Sequence, residues 1–181
     1  FALDEYAFRS GSATNIILVT DEDRDVTSAD TEASILASLV ANNALLNVVV
    51  SVEFACGDGT RALGIDSAGN GYVATAGGGY AVCSGGVAVQ NIWPGIDFFG
   101  ESGNGQILDY VNLALDSGGA AWDLNFLRAN DADLASSFTN AFVDIKIQEI
   151  EEQQVPEPGT LALFGLGLLG RGAARRRRMA Q

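Results

Sequence analysis

Two uninterrupted apolar runs, NIILVT at residues 15–20 and LLNVVVSVEF at 45–54, enclose a segment whose apolar residues recur at helical spacing. A half-solvated strand alternates apolar and polar residues. A run that is apolar at nearly every position fits a strand buried on both faces, as in a parallel sheet covered by helices. Between the runs, in ADTEASILASLVANN, Ile35, Leu36, Leu39 and Val40 mark one helical face. Asp30 stands where an N-cap is expected, and Asn42-Asn43 where the helix should stop. Strand, helix and strand in this order make a βαβ unit, which is right-handed by strong general tendency.

The chain then changes character. Residues 55–103 hold thirteen of the 22 glycines. ALGID-SAGN-GYVAT-AGGG-YAV reads as three short strands joined by two tight turns, an antiparallel meander inserted into the α/β framework. The framework resumes in GQILDYVNLALDSGG, where Ile107, Leu108, Val111 and Leu115 share a helical face that ends at Gly118-Gly119. AAWDL (120–124) is a further strand, and Leu134, Phe138, Phe142 and Ile145 line one face of a last helix. FALDEYAF, at residues 1–8, reads as the last turns of a helix whose start is missing. The expectation is therefore a fragment or processed product, in which NIILVT lacks strands that should neighbour it.

Charge is segregated. All 23 acids lie at or before Glu157, where only five cations accompany them; the other five cations are arginines further on. So acidic a body repels phosphate backbones, and nucleic-acid binding is rejected for it. Histidine is absent, which removes Ser-His-Asp and Cys-His catalysis and histidine metal sites. Cys56 and Cys83 form one disulfide if the body is exported, or remain two buried thiols if it is not.

Two stretches carry possible chemistry. In DEDRDVTSADTE, Asp21, Asp23, Asp25 and Glu32 occupy positions 1, 3, 5 and 12 of a calcium loop, but Val26 takes the place of the glycine the sharp turn requires. The same acids also suit a solvated turn that favours the positive end of the next helix. A third reading follows from the sheet: ligands of parallel α/β sheets sit at the carboxyl ends of strands, where Asp21 follows the first strand directly. Asp123 closes a later strand, so Asp21 and Asp123 are the carboxylates that a hydrolase would use as acid and base.

Strand, VTDED, helix and strand, followed later by GGAAWDLNFLR and an amphipathic helix, resembles the C-terminal half of a von Willebrand factor type A domain. That resemblance covers residues 1–150 with the insertion atypical, and implies an adhesion module. It also implies Mg²⁺ or Ca²⁺ held in the longer parent chain, with Asp21 as one ligand. The family's Asp-x-Ser-x-Ser loop does not occur here, so the site in this chain is incomplete.

VPEPGTLALFGLGLLGRGAARRRRMAQ, at 155–181, is a different kind of segment. Gly165, Gly167 and Gly170 match a dinucleotide-binding spacing, but no strand-to-helix context or downstream acid accompanies them. Residues 159–174 are short for a membrane span and interrupted by Arg171, so the segment alone is a marginal anchor whose arginines stay cytoplasmic. Pro156-Glu157-Pro158, the apolar run and Arg175, Arg176, Arg177 and Arg178 together resemble a PEP-CTERM sorting signal. The resemblance implies an exosortase as partner and a Gram-negative host. It also implies tethering to the inner membrane through this helix, with the body facing the periplasm, and then release to the cell surface or matrix.

The sequence thus leads us to expect an α/β protein with a partial doubly wound, mainly parallel sheet, a Gly-rich antiparallel β insertion at 55–103, and a C-terminal hydrophobic helix. Residues 151–158 form a polar, Pro-containing linker to the sorting segment 159–181. The expected function is an exported surface or biofilm-matrix module that binds an unknown protein or polysaccharide and is not an enzyme. A structural envelope protein without ligand is the alternative, and a carboxylate hydrolase the remoter one.

Overall fold

The computed structural model describes residues 2–8, 12–22, 30–91 and 105–153. In chain order its elements are α1 (Ala2–Glu5), β1 (Thr14–Val19), α2 (Glu32–Ala41), β2 (Ala44–Val50), β3 (Val52–Ala55), β4 (Arg61–Ala62), β5 (Gly64–Asp66), β6 (Asn70–Thr75), β7 (Gly79–Ser84) and β8 (Val87–Asn91). A π-helical turn, Ile107–Val111, then runs into α3 (Asn112–Asp116), followed by β9 (Ala120–Asp123), α4 (Asn125–Arg128) and α5 (Ala132–Gln153). The six-stranded sheet has the order β1-β2-β9-β5-β6-β7, and β4-β3-β8 form a smaller sheet. The protein is mixed α/β.

β1, β2 and β9 are parallel, with Val19 beside Val49 and Val50 beside Asp123. From β9 outwards the pairing turns antiparallel through β5, β6 and β7. The glycine-rich segment is thus an insertion in chain order but half of the main sheet in space. Its first hairpin turns at Asp66, whose carboxylate accepts the N–H groups of Ala68 and Asn70 and the Tyr72 hydroxyl. Gly69 supplies the positive φ that this turn needs.

The run at 45–54 is not one strand. At Ser51 the chain leaves the main sheet and continues as β3 in the smaller one. The Ser51 N–H donates to the Gln106 side chain instead of to a neighbouring strand. α2 begins one residue later than Asp30 would dictate. Thr31 is the N-cap: its side-chain oxygen accepts the Ser34 N–H, and the Ser34 hydroxyl accepts the Thr31 N–H. Before α3, the π-turn adds a residue to one turn and rotates the face. Leu108, expected inside, is 53% exposed; Val111, expected inside with it, is buried, and Leu113 and Ala114 are buried beside it.

Each face of the sheet has its own core. On one face Val48, Val50, Ile65 and Ala121 pack with Leu39 of α2 and with Val111, Leu113 and Ala114. On the other, Val49, Leu63, Tyr72 and Trp122 meet Phe138, Ala141 and Ile145 of α5. Burying each large side chain contributes about 1.5–3 kcal/mol. Trp122 is the hub of the second core. It stacks on Tyr72 at 5.4 Å and meets Phe138 and Phe142 edge-on at 5.8 and 5.5 Å.

Gly64 makes that stack possible. It lies beside Trp122 on one side and Tyr72 on the other. A Cβ there would sit 2.6 Å from the indole ring and 2.6 Å from the Ala121 carbonyl oxygen. The two rings close over the bare backbone, as aromatic neighbours shield a strand glycine elsewhere.

Candidate functional site at the carboxyl edge of the sheet

The parallel strands end side by side. Thr20 extends β1 by donating to the Val49 carbonyl, and Leu124 extends β9 by donating to that of Val50. Asp21, Ser51 and Asp123 therefore gather at the edge where parallel α/β sheets take ligands. Gln106 stitches this edge from within. Its side-chain oxygen accepts from Ser51 N–H and its amide donates to the Asp21 carbonyl, both at 2.9 Å.

Asp123 is buried, and both of its oxygens are engaged. One accepts the backbone N–H of Asn125 at 2.8 Å and the Asn125 side-chain amide at 2.9 Å. The other accepts Arg61 at 2.8 Å. The Arg61 guanidinium also lies 4.6 Å from the centre of the Phe126 ring, so carboxylate and ring fix its plane together. The remaining Asn125 amide proton reaches the Ser51 hydroxyl at 3.1 Å. Asp123 thus anchors the start of α4.

Asp21 faces solvent and pairs with Arg128, at the end of α4, at 2.8 Å. The hydrogen bond from Arg128 holds its carboxyl below the usual aspartate range, against a small opposing effect of desolvation. The edge thus presents one solvent-facing carboxylate and two arginines, each already paired. Among the described residues no group of three or more Cys, Asp and Glu side chains could hold a metal ion. Of the calcium-loop residues, Asp21 follows β1 and Glu32 opens α2, while Asp23 and Asp25 lie outside the described residues.

A second polar cluster is enclosed between α5 and the sheet. Lys146, the chain's single lysine, donates to both oxygens of Glu149 at 2.7 Å and to the Asn47 side-chain oxygen. That oxygen also accepts Ala120 N–H, while the Asn47 amide donates to Asn15 at 2.7 Å and to Glu149 at 2.9 Å. Asn15 in turn donates to Glu149 at 2.7 Å. Burial holds the lysine below its ordinary range although Glu149 pulls the other way. A charge pair so enclosed fixes the seating of α5 across β1, β2 and β9.

Cys56 and Cys83 are joined by a disulfide that ties the end of β3 to β7, across 27 residues of chain. In the chain-entropy description a loop of that length contributes about 3.5 kcal/mol. Gly71 leaves room for it. A Cβ there would lie 2.6 Å from the Cys83 sulfur and 3.3 Å from that of Cys56.

Sequence reasoning found Asp21, Asp123 and the cysteines but missed Arg61, Gln106, Asn125, Arg128 and the Lys146 cluster. A signal was available. In a body so short of cations, a lone lysine on the apolar face of a helix, one residue after Ile145, marks a buried partner. Pro156, Glu157, Pro158 and Arg175 to Arg178 lie outside the described residues. Among those described, no helix is long and apolar enough to cross a membrane.

Residues 154–178 match the family model of the PEP-CTERM protein-sorting motif. No curated protein and no solved structure matches the chain. The motif supports export, processing by an exosortase, and an envelope or surface location in a Gram-negative bacterium.

Proposed function

We propose that this protein is a non-catalytic binding module of the cell surface or biofilm matrix, parked in the inner membrane by residues 159–181 and released when exosortase cuts near Pro156-Glu157-Pro158. The observation that carries the reading is the sorting motif at 154–178. The Cys56–Cys83 disulfide agrees with it, because such bonds persist in oxidising compartments beyond the inner membrane. The parallel unit β1-α2-β2 with β9 beside it supports a likeness to the second half of a von Willebrand type A sheet. In that likeness the adhesive ligand, a protein or polysaccharide, is met at the carboxyl edge near Asp21, which would be one ligand of a Mg²⁺ or Ca²⁺ ion.

A structural envelope role without ligand is the second reading. Its support is that Asp21 and Asp123 are both engaged by arginines of the same chain. The test of the shared premise is expression in a host with and without an exosortase, followed by fractionation and intact mass. The mature protein should lack residues 159–181 only where the peptidase is present. Glu157→Ala should still enter the membrane yet stay unprocessed, whereas Arg175 to Arg178 replaced by Ala should lose orientation and retention. Mature protein that retains the segment beside an active exosortase refutes the sorting reading.

A further inference from the structure

Lys146, Asn47 and Glu149 hold an amine, a primary amide and a carboxylate in mutual contact. Asn47 interrupts the apolar run of β2 and is fully buried; Lys146 and Glu149 are buried on the face of α5 that covers it. The lysine Nζ donates to Asn47 Oδ1 and so lies beside the amide carbon. Glu149 Oε2 is 2.7 Å from that Nζ and 2.9 Å from Asn47 Nδ2, so one carboxylate oxygen spans the amine and the amide nitrogen. The Ala120 N–H of β9 donates to Asn47 Oδ1 at 2.8 Å, and the Phe142 ring lies 5.4 Å from Nζ. To neutralise the lysine, Glu149 alone would suffice. The amide adds an electrophile.

We propose that Lys146 and Asn47 condense into an intramolecular isopeptide bond, with Glu149 carrying the protons. The Lys146 ammonium first passes a proton to Glu149. Burial, which holds the lysine below its ordinary range, favours the neutral amine that a nucleophile must be. Its lone pair attacks Asn47 Cγ and the Nζ–Cγ bond forms. Negative charge gathers on Oδ1, where the Ala120 N–H already points. Glu149 gives its proton to Nδ2, the Cγ–Nδ2 bond breaks, and ammonia leaves. The second Nζ proton returns to Glu149 and departs with the ammonia as ammonium. Nothing is oxidised or reduced, and no co-reactant is needed. Contact between the groups supplies the proximity, and burial keeps water from competing for the amide.

The ion pair seen in the structure is the state before reaction. The bond joins β2 to α5 across 99 residues of chain and closes a ring that contains the Cys56–Cys83 disulfide. α5 leads directly into the segment at 154–178. The helix that carries the sorting motif is thereby tied covalently to the sheet.

The test uses the full chain in detergent micelles, folded and incubated, then reduced and denatured. Lys146 is the chain's single lysine, so a lysine-specific protease cuts an unlinked chain once and a linked chain nowhere. Wild type should be lighter than its sequence by one ammonia and resist that protease. Tandem mass spectrometry should find a branched peptide joining Asn47 to Lys146. Glu149→Gln, folded by near-UV circular dichroism, should link at least about a hundredfold more slowly. Lys146→Met with Glu149→Leu removes the amine without leaving a buried charge, and should keep the mass of its sequence. A folded wild type of full mass that is cut after Lys146 overturns the proposal. So does ammonia lost from a chain still cut there, which places the loss elsewhere, as an imide at Asn70-Gly71 would. A folded Glu149→Gln chain that links as fast as wild type overturns the role of the carboxylate.

Discussion

Gly64→Ala separates local propensity from tertiary packing, because the two predict opposite signs. In a strand interior, alanine in place of glycine lowers unfolded-state entropy and gains roughly 0.5–1 kcal/mol. Gly64 has no positive φ that would make alanine strained on its own. The packing decides otherwise. The new methyl carbon would lie 2.6 Å from the Ala121 carbonyl oxygen and 2.6–2.8 Å from two atoms of the Trp122 ring, and the first of these is backbone that cannot swing aside. Overpacking of this kind costs about 1–3 kcal/mol. Parting the indole from Tyr72 forfeits about 0.5–1.5 kcal/mol of ring stacking. The net expectation is a destabilisation of about 1–3 kcal/mol, or a fall in Tm of roughly 2–10 °C for a domain of this size. Thermal and urea unfolding measure it with the disulfide intact, and loss of near-UV circular dichroism should report the displaced indole. Gly69→Ala, with open space around it but a positive φ, is the control for backbone strain alone. A Gly64→Ala protein with wild-type or higher Tm and an unchanged near-UV spectrum would refute the packing argument.

Lys146→Met leaves Glu149 buried with only the Asn15 and Asn47 amides as donors. It should cost about 3–5 kcal/mol, while Lys146→Met with Glu149→Leu recovers most of that; a urea-unfolding double-mutant cycle checks this, and equal losses in both proteins would refute an ion-pair origin. For Asp21, whose folded-state pKa is depressed by Arg128, the stabilising contribution is present above the unfolded pKa and is lost as pH falls through the lowered folded value. An NMR titration of the Asp21 carboxyl should therefore have its midpoint below that of an ordinary aspartate. Arg128→Gln should move it up, and a midpoint unmoved by that change would show that the pair does not form in solution.

What the sequence settled by itself was whatever depends on neighbours along the chain. The apolar runs NIILVT and VVV at 48–50 made β1, α2 and β2 legible as strand, helix and strand. Only VVV is buried on both faces, however; β1, expected to be so too, lies at the end of the sheet with Ile17 and Val19 49% and 59% exposed. The meander followed from glycines at turn spacing, and the last helix from the spacing of Leu134, Phe138, Phe142 and Ile145. The sorting motif was readable because its parts are contiguous. Tertiary structure decided whatever requires residues far apart to meet. That the meander joins β9 antiparallel depends on Gly64 accepting the Trp122 ring, which no local pattern announces. The π-turn moved Leu108 outwards because one inserted residue rotates a helical face without altering its composition. Arg61 met Asp123, Arg128 met Asp21, and Lys146 found Asn47 across about a hundred residues of chain. Single charges carry no register of their own, so those pairings exist only once the sheet has set the ends of its strands side by side.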